Sequence, residues 1–552
     1  MKRVLTYLFP FLWLGLLASQ VPLLAQDQEN LRIEYKEVAG GGGRPAMVDV
    51  LIGFAQTPGP NEHAIIRGQG GVVKASYSLV PAVAARIPQV AVDALKANPT
   101  VALIEPDGIA FAIGHVGPVA VDEGLVELQN GWGVDRIGAG WVHRGYEIID
   151  GNPVELPLLP NSGTNIGVAV LDSGLDYTHP EFAHNYRGGY DYINNDNDPF
   201  DDHYHGTHVA GTIAAGWNDV GVVGVAPDVD LYALKVLGAN GSGSWSGIIS
   251  ALEWCVQHNA EVLAGLKPGH SLIRVTNHSY GGTSNSTLLE AAFRNSYARG
   301  MIHIAAAGNA GNADGIGDNI RYPARFPAVV AVAATSASDI RAGFSSTGPD
   351  LEISAPGVLI RSTWPLWRTD SESGFLPGYR QISGTSMASP HAAGVAALLL
   401  SAKPDLTSSG TRALLRTTAE EPIGSLDHYG YGLVDSISGV IAAEEAAPGF
   451  PIRATIAYSQ LNGRKDLRVT VTVRETQSGN PVPGAYVDCV LKRKSWQQKF
   501  SGVADDQGRF VVTVAWARKG TYTTFLDAVA DARISWPGGD WDGQTPTNSF
   551  KH

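Results

Sequence analysis

Two cysteines, Cys255 and Cys489, are all that 552 residues contain. They fall in what read as different domains, so no disulfide framework is expected. Stability outside a cell then rests on packing and on any bound metal. Charged residues are scarce at 17%, and acids outnumber bases to give a net charge of −13. That balance lacks the basic footprint of a nucleic-acid binder and favours solubility. After the N-terminus, no segment is apolar enough to span a bilayer, so no membrane span is expected in the mature form. Glycine is plentiful instead, at 65 residues. Such a composition suits a compact, loop-rich α/β protein rather than a disordered one. The length predicts two to four units.

The chain begins with Lys2 and Arg3, then a mostly apolar run over 4–17, then Pro22-Leu-Leu-Ala25. This pattern reads as a secretory signal peptide over 1–25, cleaved after Ala25, and it predicts a secreted, extracellular protein. A linker follows over 26–46, with four consecutive glycines at 40–43. Residues 47–113 read as a separate unit. Strands are expected over 48–54, 71–77, 83–87 and 101–105, with helices over 61–69 and 89–98. The order βαββαβ is the ferredoxin-like pattern. Past Pro448 the texture changes to short alternating apolar and polar runs, over 452–458, 467–474, 485–491, 508–514 and 521–526. Turn signals such as Asn462-Gly463 separate them, which predicts a small β-sandwich over 451–535. The tail 536–552 reads as loose.

The chemistry is in the middle. Gly384-Thr385-Ser386-Met-Ala-Ser-Pro-His391 precedes a run of small and apolar residues that reads as a buried helix. A serine there lies in the field of a helix N-terminus, where unpaired N–H groups face outward. That suits a nucleophile whose attack generates an oxyanion, although a serine-capped core helix has the same pattern. Upstream, Asn165-Ile-Gly-Val-Ala-Val-Leu-Asp172-Ser-Gly174 reads as a buried parallel strand ending in an acid. Open α/β sheets place their sites at such carboxyl ends; a turn acid is the simpler reading of Asp172. His205-Gly-Thr-His208-Val-Ala-Gly reads as a second helix start, with His205 at its mouth as a base, a metal ligand or an ordinary first-turn residue. A third strand, Met301-Ile-His-Ile-Ala-Ala-Ala307-Gly308-Asn309, ends in Gly-Asn, which also favours a plain turn. His208 and His391 read as helix-packing residues, because neither has a metal partner at a recognisable spacing.

Together these motifs occur in the order Asp, His, Ser, which differs from the orders of other serine hydrolase triads. On them the chain resembles the subtilisin-like serine endopeptidases, the subtilase or S8 family, over roughly 130–445. The segments 233–245, 345–357 and Gly430-Tyr-Gly-Leu-Val-Asp435 resemble subtilase segments as well. The resemblance implies an α/β fold with a doubly wound, mostly parallel sheet over 130–446. It implies an inhibitory, ferredoxin-like propeptide at 47–113, notable in Ile52-Gly-Phe-Ala-Gln-Thr57 and 99–107, and a processing linker over 114–129. The tail Ala110-Phe-Ala-Ile113 would be the first substrate, cut after Ile113 or nearer Leu128.

The implied roles are these. Ser386 is the nucleophile, His205 its base and Asp172 the group that orients the imidazole. The Asn309 side chain and the Ser386 N–H form the oxyanion hole. Gly241, Ser242 and Gly243 flank the substrate on one side, and Ser279, Tyr280 and Gly281 on the other, with Ala307 and Gly308 nearby. Gly-rich strand ends of this kind expose backbone groups that can take up an extended peptide. Trp245 lines the pocket four residues before the cut. Arg321, in Ile320-Arg-Tyr-Pro323, falls near the base of the primary pocket. An extra residue in the alignment there leaves an acidic preference undrawn. A structural Ca²⁺ is implied at Glu181 and Asn218, with carbonyls of Gly216, Val220 and Val222; the family usually has Asp in place of Glu181. No organic cofactor is implied. The expected function is a secreted, self-processing endopeptidase acting on protein or peptide substrates, broad in specificity with an apolar or aromatic preference. Its own propeptide would serve as an intramolecular inhibitor. Other readings are a narrow maturation protease, a transpeptidase, or a silent binding protein on the same scaffold.

Overall fold

The computed structural model describes residues 45–113, 131–149, 152–156, 160–370, 377–422 and 424–445, and the strands between 452 and 551. The signal segment, most of the first linker and the processing linker lie outside the described residues, as does most of the C-terminal tail.

A seven-stranded sheet forms the centre. From edge to edge its strands are Ile353–Pro356, Val329–Thr335, Ile302–Ala306, Ile273–His278, Gly167–Asp172, Asp230–Lys235 and Tyr186–Asp191. Every neighbouring pair is parallel. Side chains alternate faces along a strand, and both faces here are covered. Val168 and Val170 join the core that holds the helices His205–Ala214 and Thr385–Ala402. Ala169 and Leu171 join the core under Trp245–Leu263 and Thr287–Tyr297. Burial on both sides explains why these strands read as unbroken apolar runs. The helix Thr385–Ala402 is buried on all sides through Leu400, as its lack of a polar face requires. Chain order reverses around Gly167–Asp172, whose carboxyl end is therefore the switch point where such sheets bind ligands.

Residues 47–106 form a four-stranded antiparallel sheet in the order Val72–Tyr77, Ala82–Pro88, Met47–Phe54, Val101–Pro106. This is the expected ferredoxin-like pattern, with the second helix split into a short 3₁₀ turn, Gln89–Ala91, and Val92–Lys96. One sheet face packs on its own helices through Val50, Ile52 and Ile66. The other packs through Leu51, Ala82 and Ala84 against Leu288, Leu289 and Ala292. At the C-terminal end, Ile452–Leu461, Asp466–Glu475 and Arg509–Val514 form one sheet. Trp496–Val503, Tyr486–Arg493, Thr521–Ala530 and Asn548–Lys551 form a second. Val469, Val471, Val487 and Leu491 meet between them, which makes the expected sandwich. The strands Trp496–Val503 and Asn548–Lys551 were not expected: the first is largely polar, and the second falls in a stretch that read as a loose tail.

Beneath the large sheet, Glu352 is gripped by Arg412 and Arg416, with side-chain exposures of 3%, 0% and 4%. Burial pushes its carboxyl up, but the two guanidinium groups outweigh burial and hold it well below the carboxylate range. A depressed pKa contributes stability at neutral pH that is lost only on strong acidification. Glu352→Gln leaves two buried cations without a counter-charge. It should cost about 3–5 kcal/mol, read as a large fall in thermal midpoint at pH 7; an unchanged midpoint contradicts this account.

Candidate active site

Asp172 closes its strand at the switch point, and Lys235 of the neighbouring strand is in register with it. Its Oδ1 accepts from Nδ1 of His205 at 2.8 Å and from the Ser173 N–H at 2.7 Å. Both side chains of the pair are wholly buried. His205 opens its helix, so Gly174 and Asp172 can approach Gly206; a Cβ there would lie 2.2 Å from the Gly174 carbonyl oxygen. Asp201 fixes this turn from below, accepting from Ser173 Oγ, Thr207 N and Thr207 Oγ1. Ser386 enters from the other buried helix. Its Oγ donates to the Ser279 carbonyl at 2.7 Å, and Ser279 Oγ donates back to the Ser386 carbonyl at 2.9 Å. Ser279 directly follows the strand Ile273–His278, in which His278 is level with Leu171. The three side chains singled out in the sequence therefore converge on one rim of the sheet. His205 Nε2 has no partner among the described residues.

The peptide 109–113 occupies this rim. Ile109–Ala112 lies between Ser242–Ser244 and Tyr280–Gly281 as the middle strand of a three-stranded antiparallel sheet. The Ala112 N–H donates to the Gly241 carbonyl at 2.8 Å, and the Ile113 N–H to the Ser279 carbonyl at 3.3 Å. The Ile113 carbonyl accepts from Asn309 Nδ2 at 3.1 Å. Asn309 is aimed by Thr385, whose N–H and Oγ1 both donate to its Oδ1, at 3.0 and 2.9 Å. The motif hid this support: Thr385 reads there only as a small residue beside the serine. Along the strand, Ile109 and Phe111 are exposed while Ala110 is fully buried beneath Trp245. Gly108 and Gly282 flank that indole so closely that a Cβ on either would overlap it. Ala307 and Gly308 directly precede Asn309, and the Gly308 N–H donates to Thr385 Oγ1.

The other expected residues divide. His208 Nε2 reaches the Ile360 and Arg380 carbonyls, and burial lowers its pKa to about 3. His391 Nδ1 reaches the Met387 carbonyl, and burial lowers its pKa to about 4. Both are neutral packing residues, as expected. Cys255 and Cys489 are both buried. Glu181 and Asn218 do meet, but Asn218 Nδ2 donates to Glu181 Oε2 at 2.8 Å and Tyr379 Oη donates to Oε1 at 2.6 Å. Asn218 Oδ1 accepts from the Val220 N–H, and the Gly216 N–H donates to the Glu181 carbonyl. Val222 is buried beside Tyr379. Among the described residues no three His, Cys, Asp or Glu side chains cluster in a way that could hold a metal ion.

Comparison with known proteins agrees with this geometry. The sequence pattern of the Subtilase family matches residues 163–432. Subtilisin E of Bacillus subtilis is 36% identical over 432 residues, covering 77% of this chain and 97% of its own length. The chain belongs to the subtilase family. Subtilisin J of Geobacillus stearothermophilus matches to the same extent, and a subtilisin of Bacillus pumilus is 42% identical over 277 residues, half of this chain and 90% of its own. Fervidolysin of Fervidobacterium pennivorans, described as a keratinolytic enzyme related to subtilisin, shares the fold. Its TM-score is 0.61 at 24% identity, over 92% of this chain and 76% of that one. Membership makes this subtilase a serine-type endopeptidase.

Asn309→Leu removes the side-chain donor while keeping much of the volume. Turnover should fall about 10²–10³-fold, a magnitude measured on another member of this family rather than read from this geometry. KM should change little. A near-normal kcat removes Asn309 from the reaction.

Proposed function

We propose that this subtilase is secreted as a precursor, cuts itself after Ile113, and then hydrolyses other proteins with broad specificity. The observation that supports this most is the Ile113 carbonyl on Asn309 Nδ2, in a strand held by backbone bonds on both edges. Residues 47–113 are the inhibitory propeptide, 130–446 the peptidase and 451–535 an accessory β domain.

In the mechanism, the Ser386 hydroxyl leaves the Ser279 carbonyl by rotation about χ1 and turns to His205 Nε2. His205 takes the proton as Oγ bonds to the scissile carbonyl carbon. Asp172 holds Nδ1–H and stabilises the imidazolium without being protonated. The oxyanion is met by Asn309 Nδ2 and the Ser386 N–H. His205 then returns the proton to the leaving amine, and water releases the acyl group by the same steps in reverse roles. Apolar side chains are taken in two pockets, as Ala110 is beneath Trp245 and Ile113 is beside Gly281.

Release of the propeptide is opposed by carboxylates at the mouths of two peptidase helices. Glu105 accepts from Ser286 Oγ and from the Thr287 and Leu288 N–H groups. Asp107 accepts from Ser246 N and Oγ. Carboxylates are favoured at helix N-termini. Burial raises the Asp107 pKa, so in this linkage the free propeptide gives up its proton more readily than the bound one. Asp107 therefore supports binding most at acid pH, and its contribution fades as pH rises through the raised value. Replacing Glu105 by Ala should weaken inhibition by the isolated propeptide between about threefold and thirtyfold, the range of a lost helix cap; an unchanged inhibition constant refutes the cap.

The calcium expectation does not fit the residues present. An ion needs oxygen acceptors turned towards it, whereas both Glu181 oxygens already receive donors. We read this loop as a hydrogen-bonded clasp, and no step depends on a metal. A chelator should leave the thermal midpoint of the mature enzyme unchanged; a marked fall restores calcium to the loop.

The deciding experiment is Ser386→Ala expressed in a secreting host. The variant should accumulate with 47–113 still attached, while the wild type begins shortly after Ile113. Identical trimming of both overturns self-cleavage.

A further inference from the structure

Arg321 borders the substrate cleft and takes no part in the proposed reaction. Its backbone is tied to the cleft: the Arg321 N–H donates to the Ala307 carbonyl at 2.8 Å. Its side-chain stem runs between the two glycines that border the primary pocket. A Cβ built on Gly281 would lie 2.7 Å from Arg321 Cβ and 2.8 Å from Ile113 Cδ1. One built on Gly308 would lie 2.6 Å from Arg321 Cγ. The side chain before the cut and the arginine stem therefore share one space.

The head group is unusual in a second way. Arg321 is partly buried, and among the described residues its guanidinium has no hydrogen-bond or ion-pair partner. The nearby carboxylate Asp318 is already paired with Arg325. Burial lowers the Arg321 pKa, and the like charge of Arg325 lowers it further. A guanidinium presents five donors in a planar fork that matches a carboxylate. Partly stripped of water and unanswered by the protein, it is a site that lacks its anion. Ile113, whose Cδ1 borders the same space beside Gly281, is apolar and leaves the fork unanswered.

We propose that Arg321 makes the primary pocket selective for a carboxylate side chain, so that the enzyme cleaves after glutamate in preference to its neutral isostere. Glutamate can place its methylenes in the space beside Gly281 that Ile113 borders and carry its carboxylate to the fork. The inference rests on the endopeptidase reading and adds a charge preference to its apolar one.

The test uses mature enzyme and internally quenched peptides that repeat Ile-Ala-Phe-Ala-Xaa, with Xaa as Glu, Gln or Leu. In the wild type, kcat/KM for Glu should exceed that for Gln about tenfold or more, as expected for a partly desolvated charge-assisted pair. The ratio should shrink as salt is raised, because a half-exposed pair is screened. In Arg321→Ala the ratio should fall to about one. Arg321→Gln, which keeps the stem and loses the charge, should behave likewise and serves if the shorter side chain impairs folding. A wild-type ratio near one overturns the proposal, as does a ratio that survives in both variants. Failure to cut any of the three peptides overturns the endopeptidase reading instead.

Discussion

The arrangement of the site depends on one interaction, the insertion of an extended peptide between two Gly-rich strand edges. Ile109–Ala112 closes a three-stranded sheet with Ser242–Ser244 and Tyr280–Gly281. Backbone groups make most of the polar contacts, so the bonds do not depend on which side chains the peptide carries. The insertion also delivers the Ile113 carbonyl to Asn309 Nδ2. Binding and the placement of this carbonyl thus come from a single register. A slip of one residue would turn Ala110 out of its buried pocket and put an exposed side chain in its place.

That register is held from both ends. On the peptidase side, Ser279 bonds Ser386 twice and also receives the Ile113 N–H. Thr385 fixes the Asn309 amide. On the other side, Asp107 is anchored to Ser246, and the Trp245 N–H donates to the Gly108 carbonyl at 2.9 Å. The peptide is therefore stretched between a capped helix and Asn309. Its ferredoxin-like body rests on Leu288, Leu289 and Ala292. Under the proposed self-processing, a segment bound so completely would inhibit the site that cuts it.

Much of this was legible in the sequence because the chemistry is local. Asp172 ends a strand, His205 and Ser386 open helices and Asn309 follows shortly after a strand, and such positions leave a mark in composition: an apolar run broken by a polar residue and glycine. The central strands were legible because burial on both faces makes them continuously apolar. Other features were hidden for a physical reason. Thr385 acts through a hydrogen bond to a residue 76 positions away, and Glu352 through ions 60 and 64 positions away. No periodicity encodes such pairs. The environment of Glu181 depends on Tyr379, which the order of residues does not place beside it. The strand Trp496–Val503 was missed because its Gln-Gln-Lys core breaks the apolar alternation.

The most direct test of backbone-driven insertion is the inhibition constant of a peptide aldehyde with the sequence of residues 109–113, compared with the same compound N-methylated at the alanine that corresponds to Ala112. Methylation removes the one N–H that reaches the Gly241 carbonyl and leaves every side chain in place. The account predicts that inhibition weakens by about tenfold or more, the cost of a lost bond and a stranded acceptor. Equal inhibition by the two compounds would contradict it.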